Sequence, residues 1–143
     1  MGIGYLDEDK MKKKVLQESK TIAIVGISDN PQRDSFRVAK YLQEKGYQII
    51  PVNPMLQSVL GEVAFPDLKS IPFPVDIVDV FRRESELPDV INQALEIGSR
   101  IIWLQLGLSC PEGTVLAKEK NAIIIEDCCL KVEHSRLIGK SGI

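Results

Sequence analysis

The chain keeps returning to short apolar runs in which polar and apolar positions do not alternate. They are Thr21-Ile22-Ala23-Ile24-Val25, Gln48-Ile49-Ile50-Pro51-Val52, Val75-Asp76-Ile77-Val78-Asp79-Val80, Ile101-Ile102-Trp103-Leu104 and Ala122-Ile123-Ile124-Ile125. A strand with one face in water alternates, whereas runs like these suit strands buried on both faces of a helix-covered parallel sheet. Helical patterns fall between them. Residues 35–45 carry Phe36, Val38, Ala39 and Leu42 and stop at Gly46, and residues 88–97 carry Val90, Ile91, Ala94 and Leu95 and stop at Gly98. A third pattern opens on Pro111 and ends at Asn121. Proline near the start with glycine or asparagine past the end is the expected helix punctuation. A charged helical segment, 7–19, precedes the first run, and the proline-bearing link 53–74 reads as a loop with one helical turn.

Strand alternating with helix predicts parallel β-α-β units, and right-handed crossovers leave few topologies. The expected fold is α/β and Rossmann-like, with three layers. Its sheet is open, parallel and five-stranded, in the order 3-2-1-4-5, with helices on both faces. All 143 residues are read as one domain, with 1–20 as an N-terminal helical extension. A hydrophobic content of 44% is enough for a core, and a net charge of -2 gives no basic face for nucleic acid. Lys10, Lys12, Lys13 and Lys14 stand beside Asp7, Glu8 and Asp9, as on a solvated helix face. No stretch of roughly 18 apolar residues predicts a membrane span, and the N-terminus lacks the apolar centre of a signal peptide. Cys110, Cys128 and Cys129 form no C-x-x-C pair, so reduced thiols and a cytoplasmic location are expected.

Ligands of open parallel sheets bind outside the carboxyl ends of the strands. After the first run come Gly26, Ile27, Ser28 and, further on, Arg33 and Ser35, entering a helix whose free N–H groups favour an anion such as phosphate. Gly26 permits close backbone approach, and Arg33 offers a planar fork of donors. A tight turn with a surface arginine and a serine cap is the plainer reading of the same residues. The loop is neither G-x-G-x-x-G nor a P-loop. The second run ends in Val52-Asn53-Pro54, without the carboxylate that usually holds a nicotinamide ribose. Phe81 and Arg82 follow the third run and Gln105 the fourth. Phe81 with Arg82 and Arg83 suits a base or a phosphate, or else a core cap and a surface ion pair. Gln105 suits an amide or a carbonyl, or else a turn. The closing segment holds Cys128, Cys129 and His134, the sole histidine. Adjacent cysteines with no second cluster do not read as a metal site, and His134 reads as a surface or helix-end residue. No catalytic residue is assigned.

Taken in order, these stretches resemble the small CoA-binding protein family, which is similar to the CoA-binding domain of the succinyl-CoA synthetase α subunit. The resemblance rests on Ala23-Ile24-Val25-Gly26-Ile27-Ser28, Arg33, Ser35, Pro51-Val52-Asn53-Pro54, the run 75–83, Trp103-Leu104-Gln105-Leu106-Gly107 and the segment 129–137. It implies coenzyme A or an acyl-CoA as ligand, with Gly26, Ile27, Ser28, Arg33 and Ser35 at phosphates. It implies Val52, Asn53 and Pro54 on the adenosine side, and Phe81, Arg82 and Gln105 along the diphosphate and pantetheine. The family's cysteine position falls on Cys129, whose thiol would exchange with oxidised CoA, while Cys128 stands where a basic or polar residue is expected. The expected function is CoA binding without independent catalysis. The alternatives are a subunit of an acyl-CoA synthetase-type enzyme that needs a partner chain, and an NAD(P)-binding regulator, against which the glycine pattern and Asn53 count. A homodimer is compatible with the sequence and not required by it.

Overall fold

The computed structural model describes residues 5–139; residues 1–4 and 140–143, part of the span read above as one domain, lie outside the described residues. In chain order the elements are α1 (Tyr5–Glu18), β1 (Thr21–Val25), α2 (Asp34–Glu44), β2 (Gln48–Val52), β3 (Ser58–Val59), β4 (Glu62–Val63), β5 (Ile77–Val80), α3 (Leu87–Glu96), β6 (Ile101–Leu104), α4 (Pro111–Glu119), β7 (Ile123–Ile125) and α5 (Leu130–His134). Single helical turns cover Leu68–Ser70 and Glu84–Glu86, and a wider turn, Ser135–Gly139, follows α5.

Five strands form one parallel sheet in the order β2-β1-β5-β6-β7. The α/β, Rossmann-like class is therefore as the apolar runs imply. The pattern 3-2-1-4-5 is present, but its places are filled differently from the five runs counted along the chain. The third run, β5, lies against β1 rather than outside β2. The place outside β2 is taken by a single parallel bridge from Phe65 to Val52. Phe65 N–H donates to the Pro51 carbonyl and Phe65 O accepts from Asn53 N–H, both at 2.9 Å. One phenylalanine followed by Pro66 is too short to read as a strand. β2 is otherwise an edge strand, where a proline such as Pro51 is tolerated.

The link 53–74 holds the expected helical turn and also a two-stranded hairpin, β3 with β4. Its turn residues, Leu60 (φ 56) and Gly61 (φ 77), both take left-handed backbone. Asparagine or aspartate usually announces such a turn, and leucine hides it.

Alternation along the strands divides the core into two layers. Ala23, Val25, Val78, Val80, Ile102 and Leu104 face α3, meeting Leu87, Ile91 and Ala94. Ile22, Ile24, Ile77 and Trp103 face the other way, meeting Leu16 of α1, Val38, Ala39 and Leu42 of α2, and Leu130 of α5. The sheet is thus covered on both sides, and its carboxyl edge is left for the loops.

Candidate functional site

At the end of β1 the chain turns at Gly26 with φ +86, a conformation that costs glycine little. A Cβ there would stand 2.1 Å from the Phe81 carbonyl oxygen, so the loops after β1 and β5 meet backbone to backbone. Gly26 N–H donates to the Val52 carbonyl at 2.9 Å and Phe81 N–H to the Val25 carbonyl at 2.8 Å. These bonds extend the sheet ladder by one step, so three loops leave the edge in register.

Side chains then shape the loop after β1. Ser35 Oγ accepts from Ser28 N–H at 2.9 Å, Ser28 Oγ from Asn30 N–H at 3.0 Å, and Asn30 Oδ1 from Gln32 N–H at 3.0 Å. Arg33 occupies the N-cap of α2 in extended conformation, and its side chain caps no N–H. The positive end of the helix therefore stays available to an anion. A cavity of about 560 Å³ opens there, lined by Gly26, Ser28, Arg33, Ser35 and Phe81. Asp34 also lines it, and lies 4.0 Å from Arg37. Among the described residues, Arg33 and Arg82 form no ion pair, whereas Arg83 lies 3.9 Å from Glu86.

A second cavity adjoins this one, and a third adjoins the second. A cleft of about 660 Å³ shares Asp34 and Phe81 with it and runs to Arg82, Gln105, Leu106 and Leu108. A nook of about 310 Å³ shares Arg82 and Glu86 with the cleft and reaches Val25, Val52, Asp67 and Asp89. Asp67 accepts from Ser70 N–H at 2.9 Å and Asp89 from Gln93 Nε2 at 3.0 Å, so both acids are engaged within the fold. Together the three cavities follow the carboxyl edge from β2 to β6, roughly 14 Å at the usual strand spacing.

The structure thus brings together Gly26, Ser28, Arg33, Ser35, Val52, Phe81, Arg82 and Gln105. Ile27 is fully buried in the layer beneath α2 and offers the edge only its backbone. Asn53 is half-buried and ties two loops together: its Nδ2 donates to the Ile27 carbonyl at 2.7 Å and its Oδ1 accepts from Met55 N–H at 2.8 Å. Pro54, which is exposed, and Cys129, the half-buried N-cap of α5, line none of the three cavities. Sequence reasoning missed Leu106, Leu108, Asp67 and Asp89. Leu106 beside Gly107 carried a signal, an apolar residue at a turn where a polar one is usual.

Several titratable groups lie away from the cleft. Asp79, opposite Ile24 and Trp103 in the sheet, is fully buried, and neither carboxyl oxygen has a partner. Burial pushes its carboxyl well above the usual range; the Val80 N–H pulls the other way without reaching hydrogen-bonding geometry. His134 ends α5 as expected but is not a surface residue. It is buried, its Nδ1 lies 2.9 Å from the Tyr41 hydroxyl, and Tyr41 and Tyr47 stand edge-on to its ring. Burial, with Lys45 nearby, lowers its proton affinity. Burial likewise pushes the Cys128 thiol up to about 11, and the Cys128 carbonyl accepts from Trp103 Nε1 at 3.0 Å. Cys128 thus packs and anchors.

A parallel sheet covered on both faces, with a cleft along its carboxyl edge and a glycine-started loop entering a helix, defines a protein of the Rossmann-like α/β class. Residues 20–135 match the CoA-binding domain family, and the chain belongs to that family. It is 47% identical over 123 residues to YneT, an uncharacterised protein of Bacillus subtilis (strain 168), covering 86% of this chain and 91% of that one. A solved structure from Thermus thermophilus is similar at 39% identity with a TM-score of 0.87, over 91% of this chain and 98% of the other. A hypothetical protein from Pyrococcus horikoshii OT3 is similar at 36% identity and TM-score 0.87, over 90% and 91% of the two chains. No described helix is long and apolar enough to cross a membrane.

Proposed function

We propose that the protein binds coenzyme A or an acyl-CoA along the carboxyl edge of its sheet, without catalysis of its own. The observation that carries this reading is the chain of three adjoining cavities joined at Phe81 and Arg82. CoA has three parts that differ in chemistry. The nook beside Val52 suits adenosine, and the α2 N-terminus with Arg33 suits phosphates. The cleft toward Gln105 suits the pantetheine arm, whose amides need polar partners within an apolar wall. Any group-transfer chemistry would come from a partner chain.

The test is calorimetric titration of reduced protein with CoA, with NAD as control. Saturable CoA binding without NAD heat supports the reading, and the absence of CoA heat overturns it. Arg33→Ala should weaken CoA by roughly tenfold, the scale of one charge-assisted contact, and leave pantetheine nearly unchanged. Equal weakening of both ligands would remove Arg33 from the phosphate site.

A further inference from the structure

The far end of the cleft, over β6, has a construction that free CoA does not account for. Gln105 is only 8% exposed, and its Oε1 accepts from the buried N–H of Leu130 at 3.2 Å. That bond fixes which end of the amide is which: the oxygen is spent inward, so Nε2 points the other way as a donor. Nε2 has no hydrogen-bond partner among the described residues, yet Asp79 is the one side chain there with buried, unpartnered polar atoms. Solvent therefore reaches Nε2, and Gln105 is one of the residues that line the cleft.

Beside this donor stands an apolar pair. Leu106 is 73% exposed and Leu108 half-buried, and both line the same cleft. Leu106 does not sit on a loose loop. Leu108 N–H closes the turn on the Gln105 carbonyl at 2.9 Å, Gly107 N–H donates to Asp127 Oδ1 at 2.8 Å, and Asp127 N–H returns to the Leu108 carbonyl at 3.1 Å. A leucine held in water by three such bonds is a fixed apolar surface. It adjoins an oriented N–H donor on the β6 side of the cleft, whereas the Val52 nook meets the cleft at Arg82 and Glu86.

We infer that the preferred ligand is an acyl thioester of CoA, its thioester carbonyl accepting from Gln105 Nε2 and its short acyl chain lying on Leu106 and Leu108. This rests on the CoA-binding reading and narrows it. At the far end of the cleft free CoA brings only a thiol, a weak acceptor for that donor, and leaves the leucines wet. A thioester supplies both missing parts, a carbonyl oxygen and a hydrocarbon tail. Phe81, at the junction with the phosphate loop, bounds the cleft on the near side.

The test compares three ligands by calorimetry: CoA, butyryl-CoA and S-butyl-CoA, a thioether of the same chain length without the carbonyl. Wild type should bind butyryl-CoA about tenfold more tightly than CoA, with S-butyl-CoA between them. Gln105→Glu keeps the inward oxygen and removes the donor, so butyryl-CoA should fall to the level of S-butyl-CoA. Leu106→Ser should bring both acyl-chain ligands close to CoA, so that the roughly tenfold preference for butyryl-CoA over CoA, both measured on the variant, is mostly lost. Leu106 is exposed, so this variant keeps the fold and carries the test even where the Gln105 variant is unstable. Equal affinity of wild type for all three ligands overturns the acyl assignment and leaves CoA binding standing. Failure of all three to bind overturns both.

Discussion

At the scale of single residues, two positions are set by sterics and burial. Gly26 has positive φ and no room for a Cβ against the Phe81 carbonyl. Gly26→Ala must strain the backbone or push the two loops apart. It should cost about 1–3 kcal/mol in urea unfolding and lose most CoA heat, because the β1 and β5 loops shape adjoining cavities. Asp79 behaves differently. Its buried carboxyl is raised above the usual value of 3.8, so the folded state holds its proton after the unfolded chain has released it. The sign follows directly. Stability is fullest below about 3.8 and is lost as pH rises toward the raised folded value. Asp79→Asn, close in shape and without a charge to suppress, should gain on wild type as pH is raised from about 4 to neutrality. Thermal melts at the two ends of that range check it, and a constant difference between the proteins would count against a protonated Asp79. Close backbone approach at Gly26 was legible from the sequence, though not that the Phe81 carbonyl would be what approaches it, whereas aspartate within a strand run gave no sign that its carboxyl would go unpaired.

At the scale of elements, α1 shows how a charged helix is held to the fold. Lys12 Nζ donates to Glu133 Oε1 at 2.8 Å with both side chains 10% exposed, and Arg136 bridges Glu133 and Asp9 at distances of 2.7 to 3.0 Å. The lysine run read as a solvated face does hold Lys10, Lys13 and Lys14 in solvent, but Lys12 is turned inward against α5. Sequence spacing could not separate them, because the acid that claims Lys12 lies 121 residues away. Lys12→Met should cost about 1–3 kcal/mol, less than a wholly orphaned buried charge because Arg136 stays on Glu133. Hydrogen bonds from Arg136, and then Lys12, hold the Glu133 carboxyl below its usual 4.5 against the opposing effect of burial. Its contribution is therefore present above that value and lost as pH falls through the lowered one. Acid unfolding of the Lys12→Met protein should be correspondingly shallower than that of wild type.

At the scale of the molecule, the ligand reading joins exposed cations to a polyanion. Affinity for CoA should fall steadily with added salt, since exposed phosphate contacts are screened over about 10 Å at 0.1 M. The Arg33→Ala protein should show a weaker dependence. Titration at three salt concentrations measures it, and a flat profile would place the phosphates away from Arg33. The same scale explains why candidate residues separated. Gly26, Ser28, Arg33, Ser35, Val52, Phe81, Arg82 and Gln105 share one edge because parallel strands end together. Pro54 and Cys129 lie close to that edge in sequence, but their loops carry them off the three cavities.

What the sequence determined by itself was the class of fold and the edge at which to look. Unbroken apolar runs can be buried only on both faces, and helices between them force parallel strands. Long-range packing set the content of the third sheet position, the inward turn of Lys12, the burial of His134 and Asp79, and the free donor on Gln105. Each depends on one contact, or one missing contact, between residues far apart in the chain. Hydrophobic period is local and survives in sequence, whereas a hydrogen bond's partner is fixed only when the chain has closed on itself.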